Sequence, residues 1–125
     1  MKVSLEIEAK DAATVAAAIV GTEAARGTEV EIGEGILLRY RGISRTKGLG
    51  TTDLIMFALS FPAGITTGLI ADAISHHFRG KGENDLMGQA VLHVEREVES
   101  IDGNGARIKK VEKSSLVIPL GPKAP

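Results

Sequence analysis

Cysteine is absent from the 125 residues, so the chain can form no disulfide, no thiolate zinc site and no cysteine nucleophile. That lack fits a reducing compartment. Tryptophan is absent too, and one Tyr with three Phe leaves few flat rings on which the bases of a single-stranded nucleic acid could stack. An excess of either charge is also missing. Fifteen basic side chains against sixteen acidic ones give a formal net charge of -1, so no whole-molecule field draws nucleic acid or anionic lipid. Any electrostatic partner site must be a local patch. The opening residues MKVSLEIEAK alternate charged with apolar groups and contain no apolar signal core, which makes the cytoplasm the expected location.

What is present is an ordinary globular composition, 43% hydrophobic and 25% charged, far from the polar, highly charged region of disordered chains. A chain of this length suits one domain and can bury about two thirds of its unfolded surface. The expected organisation is a single α+β domain over residues 1–120, followed by a flexible tail over 121–125.

Val3, Leu5 and Ile7 alternate with Lys2, Ser4, Glu6 and Glu8, the period-two signature of a strand buried on one face. Asp11 is placed to cap an Ala-rich helix that carries Val15 and Ile19 on one face and runs through Gly21 towards a stop at Gly27. Val30 and Ile32 alternate with Glu29 and Glu31, and a second strand follows from Ile36 to Ile43. Ser44 to Gly50 reads as a basic loop, with Thr51, Thr52 and Asp53 as caps for a long helix. Beyond it, Val91 to Val98 forms a strand that turns through Asp102, Gly103, Asn104 and Gly105 into a return strand bearing Ile108 and Val111. Leu116 to Leu120 suits a short edge strand, because Pro119 has no amide to donate. The fold class expected is α+β: an antiparallel or mixed sheet of about five strands with two main helices packed on one face.

Residues 54 to 71, LIMFALSFPAGITTGLIA, carry no charge and approach the length at which a membrane span is considered. Read as a helix, they align Leu54, Ala58, Phe61, Ile65 and Leu69 and place Ser60, Gly64 and Gly68 on a second row. Pro62, the small polar residues and Asp72 dilute the hydrophobicity, so a buried helix kinked at Pro62 is favoured over a membrane segment. Phe61, Ile65 and Leu69 are then core.

The sharpest hint of chemistry is Asp72 and His76, four apart on one helix, where a carboxylate could orient an imidazole for acid–base or metal work. His77 points about 100° away, no HExxH spacing completes a site, and a helix C-terminus favours His for its dipole alone. His93 stands singly in a strand. GEGILLRYRG and GLGTTD are glycine-rich but lack the spacing and Lys of a phosphate loop. No catalytic residue, metal or cofactor is therefore expected. The best partner-binding candidates are Arg39, Arg41, Arg45 and Lys47, a basic stripe running from a strand into its loop. The plainest alternative is cross-strand pairing of those arginines with Glu95, Glu97 and Glu99.

The order of elements, with GLGTTDLIMFALSFPAGITTGLIADAISHHF followed by VLHVEREVESIDGNGARIKKV, resembles the small effector-associated constant components of bacterial conflict systems. The likeness spans most of the chain, rests on pattern and assigns no catalytic residue. It implies a non-enzymatic accessory or regulatory component that binds a neighbouring effector protein; that no nucleic acid is a partner is expected from the scarcity of aromatic rings. Three alternatives stand beside it: an immunity protein that covers a cognate toxin, a membrane-acting protein using residues 54–74, and a small hydrolase using Asp72 and His76.

Overall fold

The computed structural model describes residues 1–21, 23, 25–44, 52–79 and 87–120. In chain order the elements are β1 (Lys2–Lys10), α1 (Ala12–Val20), β2 (Glu29–Gly33), β3 (Ile36–Ser44), β4 (Thr52–Ser60), α2 (Thr67–Arg79), β5 (Met87–Ile101) and β6 (Arg107–Pro119). The strands form one sheet in the order β2-β3-β4-β1-β5-β6, and every pairing is antiparallel. The class is α+β, with six strands rather than about five.

The additional strand is β4, which corrects the expectation of a helix beginning at Thr51 to Asp53. Its residues pair with β1 on one side and β3 on the other, as in Leu5↔Phe57 and Tyr40↔Phe57. Ile55 and Phe57 are buried while Met56 between them is 37% exposed, so an apolar run that fits a helical wheel obeys period two once it has neighbours on both edges. The helix starts after Pro62 and Gly64. Thr66 opens it: its carbonyl accepts the Ile70 amide at 3.2 Å, and its hydroxyl accepts the Leu69 amide at 3.3 Å.

Splitting the segment also moves the core. Ile70, Ile74 and Phe78 are the buried residues of α2, whereas Leu69 is 55% exposed and Phe61 and Ile65 are only partly buried. Among the described residues no helix is long and apolar enough to cross a membrane.

α1 is shorter than expected. It ends at Val20 because Gly21 takes φ 102° and donates its amide to the Ala17 carbonyl, a cap that an L-residue adopts only with strain. Asp11 precedes the helix at φ 48° without capping it through its side chain, and its carboxylate instead accepts the Thr14 hydroxyl at 2.7 Å.

Along β1 the buried residues are Val3, Leu5, Ile7 and Ala9, and their cross-strand neighbours Ile55, Phe57, Ala90, Leu92 and Val94 are buried too. Val15, Ala16 and Ile19 of α1 and Ile70, Ile74 and Phe78 of α2 belong to the same core cluster. The alternate residues, among them Ser4, Glu6, Met56 and His93, form an open face that is exposed or half-buried.

β5 and β6 outrun the rest of the sheet. β1 reaches only as far as Glu95, yet β5 and β6 stay paired out to Ile101↔Arg107, so residues 96–112 form a two-stranded arm. The Asp102 side chain closes its turn by accepting the Asn104 and Ala106 amides at 2.9 and 2.8 Å. Leu116 to Pro119 continues β6 rather than starting a further strand, and Pro119 lies on an edge as its missing amide requires.

Candidate functional site: the arginine bulge on the open face

The Arg39–Arg41 segment sits where β3 breaks register. Tyr40 pairs with Phe57 and Gly42 with Met56, which leaves Arg41 as an extra residue in a β-bulge. Gly42 holds the bulge at φ 116°. A Cβ there would stand 3.0 Å from Arg26 Nε, so the Arg26 guanidinium lies directly against the glycine. Two backbone bonds fix this approach: the Gly27 amide donates to the Tyr40 carbonyl at 2.8 Å, and the Tyr40 amide to the Thr28 carbonyl at 2.9 Å.

Arg41 borders two concavities. One, of about 380 Å³, is lined by Arg26, Gly27, Arg39, Tyr40 and Arg41. The other, of about 430 Å³, runs along the open face between β1 and β4, with Ser4, Glu6, Met56 and Ala58 among the lining residues. Positive charge, one carboxylate and an apolar floor thus meet around a single side chain.

The cations differ in their engagement. Arg39 donates to Glu29 Oε1 at 2.9 Å across the β2–β3 pair, a half-exposed contact of small energetic weight. Arg26 and Arg41 make no ion pair among the described residues. Arg45 and Lys47, the other two residues of the expected stripe, lie outside the described residues. Arg39 and Arg41 do not pair with Glu95, Glu97 and Glu99, because β4 and β1 stand between β3 and β5. Glu95 instead lies 3.8 Å from Lys113 on β6. Arg26 was missed by sequence reasoning: it stands outside any periodic segment, and only the turn into β2 brings it beside the bulge.

Asp72 and His76 are both exposed on α2, and no hydrogen bond joins them. His77 packs edge-on against Phe78, with ring centroids 5.0 Å apart. His93 has more company. Its Nδ1 lies 3.0 Å from Ser115 Oγ, and its Nε2 lies 3.4 Å from Glu6 Oε2, close enough to pair with a protonated ring but not aligned as a hydrogen bond. This serine, imidazole and carboxylate come from three strands, a juxtaposition that no local motif announces. Ser115 sits in mid-strand, paired with His93, and not at a sharp strand-to-helix elbow that frees adjacent amides for an oxyanion. The row has the character of a polar surface network on a sheet. Among the described residues, no group of three or more His, Asp or Glu side chains could hold a metal ion.

No family model matches the chain, and no curated protein or solved structure does either.

Proposed function

We propose that the chain is a non-enzymatic, protein-binding accessory or regulatory component of a bacterial effector system, and that it captures its partner on the open face around Arg41. The observation that carries this reading is the bulge. It sets the Arg41 guanidinium between two concavities, beside the Arg26 guanidinium and an apolar floor, and neither cation makes an ion pair among the described residues. A charged rim around apolar surface is how protein interfaces combine steering with burial. Buried residues of α1 and α2 share the core cluster with Leu5 and Phe57, while the alternate residues of the sheet stay exposed or half-buried and offer surface to a partner.

The test is a pull-down from bacterial extract with the full chain, followed by association kinetics of the recovered partner at two salt concentrations. Arg26→Glu and Arg41→Glu together should slow association by about tenfold or more and flatten its salt dependence, with the melting temperature almost unchanged. Recovery dominated by nuclease-sensitive material, or kinetics indifferent to the substitutions, would overturn the proposal. Loss of a toxic activity on binding would select the immunity reading.

A further inference from the structure

The two outermost strands carry opposite charge. β6 has Arg107, Lys109, Lys110 and Lys113 against the single acid Glu112, whereas β2 has Glu29 and Glu31 and no base. Among the described residues no strand pairs with the outer side of either. A lysine-rich edge repels a second copy of itself, one of the devices by which proteins keep exposed strands from pairing. It does not repel an acidic edge.

We propose that this chain associates head to tail, the β6 edge of one copy pairing with the β2 edge of the next. Strand direction favours the arrangement. The sheet holds six strands and all its pairings are antiparallel, so β2 and β6 run in opposite senses. A copy displaced along the sheet without inversion therefore presents β2 antiparallel to β6, with the core face of both copies on the same side. In one register Glu29 opposes Lys109, Glu31 opposes Arg107 and Val30 opposes Ile108. The acids and bases then share the open face, and the two apolar residues share the core face.

This register uses the arm, which projects past β1. The arm also has apolar surface to lose: Ile101 is 75% exposed and Val111 57%. An isolated two-stranded ribbon is marginal in water, and a third strand supplies what it lacks. Such a contact is heterologous, so it propagates into a filament, or closes into a ring where the sheet twist allows.

The experiment is sedimentation velocity of the full chain from micromolar to millimolar concentration, in low salt and in half-molar salt. Association should grow with concentration and weaken in high salt, because the paired charges are exposed and screened. Arg107→Glu with Lys109→Glu should weaken it by about tenfold or more, as should Glu29→Lys with Glu31→Lys, since like charges then face each other. Circular dichroism confirms that each variant folds. An equimolar mixture of the two variants restores both oppositely charged contacts, so association should return, an outcome that misfolding could not produce. A wild-type chain that stays monomeric throughout overturns the proposal, as does association indifferent to the reversals or a failure of the mixture to reassociate. The Arg107 and Lys109 reversals separate this proposal from partner capture at Arg41, because β4, β1 and β5 stand between β6 and β3, whereas Glu29 borders that site through Arg39.

Discussion

Gly42 shows how much a single position decides. Its φ of 116° is strained for any L-residue, and a Cβ would press on the Arg26 guanidinium. Gly42→Ala should therefore cost about 1–3 kcal/mol, read as a lower urea midpoint, while also moving Arg26 and slowing partner association. An unchanged midpoint would mean that the bulge tolerates a side chain. Leu69 and Phe57 make the complementary pair. Both belong to one uncharged run, yet Leu69 is exposed and Phe57 is 1% exposed. Leu69→Ala should shift stability by no more than about 0.5 kcal/mol. Phe57→Ala should remove about 3–5 kcal/mol. Equal costs would return the segment to a helix.

At the scale of elements, β4 is supported by its neighbours rather than by its own pattern. Leu54 and Ala58 are half-buried on the open face while Ile55 and Phe57 are buried beneath, so apolar residues occur at consecutive positions and alternation is blurred. β1, β2 and β3 were legible because charged residues mark their open face, as Glu6, Glu31 and Arg39 do. The β5–β6 hairpin was legible from its turn residues. α2 depends on a local stop and start: Pro62 and Gly64 end the strand region, and Thr66 supplies the cap. Thr66→Ala should cost about 1 kcal/mol, measured by thermal unfolding, and the loss should be confined to stability. Arg96 reaches the same helix end, donating to Thr67 Oγ1 at 3.2 Å. If Thr66→Ala unfolds no earlier than the wild type, the hydroxyl bond is not holding the helix end.

Stability is unevenly distributed over the molecule. β1 and β4 have a strand on each side and buried side chains beneath, whereas the arm has each strand paired only with the other and is almost wholly exposed. Hydrogen exchange at low protein concentration should show amides of residues 97–101 and 107–111 exchanging about a hundredfold or more faster than those of Leu5, Ile7, Ile55 and Phe57. Uniform protection would mean that something covers the arm.

The sequence by itself determined the α+β class, the strands whose charged residues alternate with apolar ones, the turn at Asp102 to Gly105, and the lack of thiol chemistry, because each depends on residue type and short-range spacing. Tertiary structure alone decided that residues 52–60 form a strand, since an apolar run satisfies either period until partners claim its backbone groups. It decided that Arg39 meets Glu29, that β3 and β5 never meet, and that His93, Ser115 and Glu6 share a row, because strand order lies outside any local pattern. The proposed site follows the same division. Arg39 and Arg41 were visible as a basic stripe, but the bulge that frees Arg41 and seats Arg26 beside it exists only because β3 must keep register with β4 while carrying one residue more.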